Sequence, residues 1–248
     1  MSLGAEVLVF VGPTISASAV SQLIEAQVLP PASVGDIYRA AQRNPRCIIL
    51  IDGYFEHTPA VWHKEILYAI SRGIAVVGSS SMGALRAAEL HCYGMYGNGH
   101  IYETYRDGIC EDDDEVAVLH GDAESGYRCI SDALVNIRHG LIQAHILGII
   151  SGKSKRLLER IAKLWYYGER NWAKLIDEGN RRALPSGEMT ALRQYVLDIR
   201  PDLKCADAEE TLSLVCTGRL QAPLEPPMFN FERTNSWLCL ERFESTKH

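Results

Sequence analysis

The first third of the chain alternates short, unbroken apolar runs with stretches of helical spacing. Val7 to Val11 is apolar throughout and closes on Gly12, Pro13 and Thr14. Helical spacing follows from about Ser16 to Ala26, until Pro30 and Pro31 break it, and returns over Asp36 to Gln42. Cys47 to Ile51 is the second apolar run, ended by Asp52 and Gly53. Pro59 suits the first turn of a helix that runs to Ser71 and stops at Gly73. Ile74 to Val77 is the third run, and Gly78 to Ser81 lead into a helix from Met82 to about His91. Continuous apolar strands alternating with helices predict a parallel sheet covered on both faces.

The pattern changes after Gly94. Gly94, Gly97 and Gly99 suggest a loop, and an acidic run from Glu111 to Glu115 follows. Val116 to Leu119 reads as one more strand. From Ser131 onward the spacing is helical: Ser131 to Ile150, Ser154 to Tyr167, Trp172 to Glu178, Glu188 to Leu197 and Ala208 to Val215. The fold class is therefore α/β, with a parallel sheet and flanking helices in the N-terminal half and a mainly α-helical C-terminal half. The expected organisation is a core over residues 1–125, a helical region packing on it over 126–220, and an extended tail over 221–248 containing Pro223, Pro226 and Pro227.

Composition narrows the function classes. No apolar stretch reaches the roughly 18 residues of a membrane span, so no membrane association is expected. A net charge of -6 argues against a nucleic-acid partner. Seven scattered cysteines without C-x-x-C spacing fit reduced thiols rather than disulfides or zinc. With no signal-peptide pattern at the N-terminus, the expected location is the cytoplasm. The patterns G-x-G-x-x-G and G-x-x-x-x-G-K are absent, so no cofactor and no metal are expected.

Candidate chemistry gathers where ligands bind in an open parallel sheet, at the carboxyl ends of the strands. Gly12 to Thr14, Asp52 to Tyr54 and Gly78 to Gly83 fall there. The third turn resembles a nucleophile elbow, with Ser81 standing at the strand–helix join and the Met82 N–H aimed at a developing oxyanion. Helix capping also explains a serine at this place, and spacing alone favours the cap. Lys64, about one turn into the helix between the second and third strands, can reach back to the same edge as a general base. It can also be a solvated surface lysine, the plainer reading. Asp52 either orients a partner or caps its turn. Arg86 either holds a carboxylate or forms an ion pair. The acidic run at 111–115 reads as a solvated loop. The basic helix with Lys153, Lys155, Arg156, Arg160 and Lys163 reads as a wet face or a docking surface for an acidic partner.

At these residues the sequence resembles the TfuA-like family. The likeness rests on Gly12-Pro13-Thr14, Asp52-Gly53-Tyr54-Phe55, His63 to Leu67 and above all the block from Ser81 to Leu90. It continues through Gly94 to Gly99, Asp113 to Ala117 and Leu134 to Arg138. The resemblance implies an accessory protein of a YcaO enzyme, which uses ATP to activate backbone amides of ribosomally made peptides, here for thioamidation. It implies a hydrolase that releases sulfide from a thiocarboxylated ThiS-like sulfur carrier, with the precursor peptide as a further partner. The family's serine–lysine pair maps onto Ser81 and Lys64. Met82, Gly83, Gly12, Thr14, Asp52 and Arg86 would bind the oxyanion or substrate, and the Gly94–Gly99 segment would close over the carrier's tail. Two other classes compete: a non-catalytic adaptor that activates the YcaO enzyme and recruits its peptide, and a flavodoxin-like small-molecule binding domain.

Overall fold

The computed structural model describes residues 6–54, 58–220 and 229–246. The chain divides into two compact units: residues up to 110 together with those from 207, and residues 111–206.

The first unit is built on five parallel strands: β1 (Val7–Phe10), β2 (Gln27–Leu29), β3 (Cys47–Leu50), β4 (Ala75–Ser79) and β5 (Tyr96–Asn98). Their order is β2-β1-β3-β4-β5, the flavodoxin-like doubly wound order. The three central strands are those with continuous apolar runs. Every residue of β1 and β3 is buried, as a sheet covered on both faces requires. The edge strands β2 and β5 are new relative to the sequence pattern. Each is only three residues long and half-exposed. β5 has Gly97 at its centre because the Tyr102 ring lies flat on it: a Cβ at Gly97 would fall 2.0 Å from that ring. The Gly94–Gly99 segment is therefore an edge strand with its flanking turns.

The connecting helices are α1 (Ala17–Leu23), α2 (Asp36–Gln42), α3 (His63–Ser71), α4 (Met82–Leu90) and α5 (His100–Arg106). α3 begins four residues after Pro59, and the buried Glu65 carboxylate sets its start by accepting the Trp62 N–H. The same carboxylate accepts Gly35 and Tyr38 N–H groups, so one side chain fastens the starts of α2 and α3.

The helix α10 (Leu203–Cys216) contributes its residues from Asp207 onward to this unit. Asp207 is buried, accepts the Ile101 N–H and so caps α5 from a distance in sequence. Burial pushes its carboxyl up, and that N–H opposes the shift. Gly99 has φ of 101°, and a Cβ there would lie 2.6 Å from the Asp207 carboxyl carbon.

Residues 221–228 lie outside the described part of the expected tail. Beyond them the chain is not extended: Asn235–Ser245 is helix α11. Trp237 is fully buried, with Tyr38, Tyr68 and Phe231 ring centroids at 5.3, 4.9 and 4.9 Å. The apolar spacing hides this helix because its inward face also carries Glu244, which pairs with Arg39.

The second unit contains α6 (Leu134–Ile146), α7 (Gly152–Leu164), α8 (Trp172–Arg181) and α9 (Ser186–Ile199) around a core of Leu134, Ile137, Leu141, Leu158, Leu175 and Leu192. The predicted strand at 116–119 is absent. That segment is irregular, with Leu119 N–H held by the Ser131 hydroxyl at 2.7 Å. The acidic run is not a solvated loop. Asp113–Glu115 is a short 3-10 helix, and Glu115 is buried against Arg138 with two hydrogen bonds of 2.9 and 3.0 Å. Lys163 reaches Asp112, Asp114 and Glu115 at 2.8, 2.8 and 3.1 Å. The three acids lie close enough to share a cation, and the Lys163 ammonium is that cation. Arg170, fully buried, completes the network through Asp114.

Candidate active site

The switch point of a 2-1-3-4-5 sheet lies between β1 and β3, where crossovers leave in opposite directions. Asp52 stands there, one residue beyond Ile51. Its carboxylate is buried and accepts three hydrogen bonds: Gly12 N–H at 2.8 Å, Thr14 N–H at 3.0 Å and the Thr14 hydroxyl at 2.6 Å. This is a clamp between the turns after β1 and β3. The Gly12 and Thr14 amides, expected as oxyanion donors, are engaged by the Asp52 side chain. Asp52 caps the turn, and no hydrogen bond joins it to Lys64 among the described residues. Asp52→Ala should therefore act on stability, by about 3 kcal/mol, as expected when buried donors to a charged group lose their acceptor. Thermal unfolding checks this, with a loss of roughly 6–12 °C for a chain of this length.

The turn after β4 is tight. Ser80 has φ of 68°, and Ser81 N–H donates to Ser79 C=O at 2.8 Å, a three-residue γ-turn with a strained centre. The chain then enters α4 directly. Two glycines make this possible. A Cβ on Gly83 would fall 1.7 Å from Leu50 C=O oxygen, and one on Gly78 would fall 2.1 Å from Gly83 oxygen. The first turn of α4 thus rests on the backbones of β3 and β4, held by Gly83 N–H to Ile51 C=O at 3.1 Å. Gly83 is a packing residue for this turn.

Ser81 occupies the N-cap position, yet its side chain makes no cap hydrogen bond. The capping role that its spacing suggested is not the one it plays. The residue as a whole is 8% exposed. The Met82 N–H, at the positive end of a nine-residue helix, has no acceptor among the described residues. A hydroxyl without a cap bond and an unengaged amide thus stand side by side at the helix start.

The remaining candidates divide. Ser79, at the end of β4, is buried. Its hydroxyl donates to Asn98 and Asp207 carbonyls and accepts from Thr211, tying β4 to β5 and α10. Arg86 is buried and braces α3 against α4, with Nε to Val61 C=O at 3.2 Å and a guanidinium nitrogen to Glu89 at 2.7 Å. His63 also bonds Glu89, at 2.8 Å. Burial raises the Glu89 carboxyl, but these two partners bring it below its ordinary value. Arg86 is thus the ion-pair strut of the two readings. Lys64 is half-buried on α3, and its Nζ donates to Thr234 Oγ1 at 3.1 Å while lying 5.5 Å from the Phe231 ring centroid. No hydrogen bond joins Lys64 to Ser81 among the described residues. His120 belongs to the second unit and bonds Gly121 C=O. Neither Thr234 nor Phe231 carries a sequence signal for a role beside Lys64. They sit 170 and 167 positions away in a segment whose spacing reads as tail.

No helix among the described residues is long and apolar enough to cross a membrane. No curated protein matches the sequence. The family model for TfuA-like protein matches residues 52–171, from Asp52 through the Ser81 turn and into the second unit. Over that span the chain is similar to the TfuA-like family.

Proposed function

We propose that the chain is a hydrolase of the TfuA-like family that uses Ser81 to release sulfide from a thiocarboxylated, ThiS-like carrier for a YcaO enzyme. The observation that carries this reading is Ser81 itself: a helix-start serine without a cap bond, beside the unengaged Met82 N–H. In the reaction, Ser81 Oγ attacks the thiocarboxylate carbon and forms a tetrahedral oxyanion against Met82 N–H. Collapse breaks the C–S bond and releases hydrosulfide, leaving the carrier's terminal glycine as an ester of Ser81. Water then cleaves the ester and frees the carrier carboxylate and the serine hydroxyl. Lys64 takes the serine proton only after it exchanges its bond to Thr234 for one to Ser81.

The test is intact-mass analysis after rapid acid quench of protein mixed with the thiocarboxylated carrier. The expected species is a conjugate lighter than the two proteins by one hydrogen sulfide, with the link mapped to Ser81. A conjugate that survives Ser81→Ala overturns the assignment.

A second reading has its own observation. Lys64 engages Thr234 and Phe231 rather than Ser81, as it would in an adaptor that recruits the YcaO enzyme and its peptide without chemistry. Lys64→Ala separates the two: the hydrolase loses sulfide release, and the adaptor retains YcaO activation.

A further inference from the structure

The second unit carries a concave site that the sulfide-releasing reaction does not use. A cavity of about 440 Å³ is lined by Arg138, Arg156, Glu159, Arg160, Lys163 and Leu164. Four cations thus converge on one depression of a chain whose net charge is -6. They are not equivalent. Arg138 is neutralised by Glu115, and Lys163 by Asp112, Asp114 and Glu115. Glu159 is engaged by Lys155 at 3.0 Å. Arg156 and Arg160 have no carboxylate partner among the described residues. They lie four positions apart on α7, where like charges repel along the helix face and destabilise it slightly. Both are exposed, and Leu164 at the rim is 85% exposed.

We propose that this cavity docks an acidic segment of a partner protein, in which carboxylates alternate with an apolar side chain. The two unpaired guanidinium groups match carboxylates as planar, bidentate forks. The arginine stems and Leu164 supply an apolar wall, which favours a peptide over a bare inorganic anion. Arg138 and Lys163 are held by their own carboxylate partners, so that part of the lining is fixed before the partner arrives. This inference does not depend on Ser81.

The probe is a fluorescein-labelled peptide of alternating glutamate and leucine, titrated with the full chain and read by fluorescence anisotropy. The expected result is saturable binding that weakens with salt, and none for the same peptide with glutamine in place of glutamate. Arg156→Glu with Arg160→Glu should weaken binding by at least about tenfold. Unfolding midpoints equal to wild type confirm that the variant folds, and Arg156→Gln with Arg160→Gln gives a milder loss in the same direction. Unchanged affinity in either double variant, or no binding by wild type, overturns the proposal. Displacement by inorganic phosphate beyond that of sodium chloride at equal ionic strength also overturns it, in favour of a small-oxyanion site.

Discussion

Gly83→Ala should abolish or nearly abolish stable folding of the first unit. Its new Cβ would sit 1.7 Å from the Leu50 oxygen and 2.6 Å from the Leu50 carbonyl carbon. Both belong to the backbone of the central strand β3, which cannot yield as the end of a flexible side chain would. Relief requires α4 to lift from the sheet, and Gly83 N–H would then lose Ile51 C=O. Overpacking against backbone, with a buried donor orphaned, costs roughly 4 kcal/mol or more. That is a large part of the stability of an ordinary domain. Gly187→Ala is the control. It also lies in a helix, α9, but a Cβ there has nothing within 4 Å, so the change should be neutral or slightly stabilising. Urea unfolding followed by circular dichroism reads both. A Gly83→Ala midpoint close to wild type would mean that α4 does not rest on β3.

Arg170→Met should be the most damaging single change in the second unit. Arg170 is fully buried, with Nε on Ala162 C=O at 3.1 Å and a terminal nitrogen on Asp114 C=O at 2.6 Å. Its other terminal nitrogen pairs with the Asp114 carboxylate. Removing it strands two carbonyls and weakens the neutralisation of Asp114. Breaking a buried pair from one side costs about 3–5 kcal/mol. Asp114 is a third exposed and keeps Lys163, so the lower end applies. The sign of the pH dependence follows from Asp114. Burial raises its carboxyl, but Lys163 and Arg170 hold it below its ordinary value. Its pairing therefore stabilises the fold above the ordinary aspartate pKa, about 3.9, and that contribution is lost as pH falls through the depressed folded value. The gap between wild type and Arg170→Met should narrow in acid. A gap that stays constant from neutral pH to below pH 3, set here as roughly one unit under the ordinary value, would remove Asp114 from the account.

The parts legible in the sequence are those whose cause is local. β1, β3 and β4 show as apolar runs because both sheet faces are covered, and the helices after them show by spacing and glycine stops. The convergence of Gly12, Asp52 and Ser81 follows from parallel topology alone. What escapes is what depends on distant partners. β2 and β5 borrow their regularity from the neighbouring strand. α11 escapes because Glu244, an inward-facing charge, is satisfied only by Arg39. The acidic run and the basic helix each look solvated in isolation, yet Lys163 lies among Asp112, Asp114 and Glu115 once the chain folds. Likewise Asp52 reads as an even choice between capping its turn and orienting a partner until Gly12 and Thr14 are seen to donate to it.

Sulfide release from a thiocarboxylated ThiS-like carrier, followed for wild type, Ser81→Ala and Lys64→Ala with folding verified for each, decides whether Ser81 and Lys64 carry out the reaction. Wild type should release sulfide and both variants should lose nearly all of it, Ser81→Ala because the nucleophile is gone and Lys64→Ala because the Ser81 proton has no acceptor. Full release by Ser81→Ala would contradict that assignment.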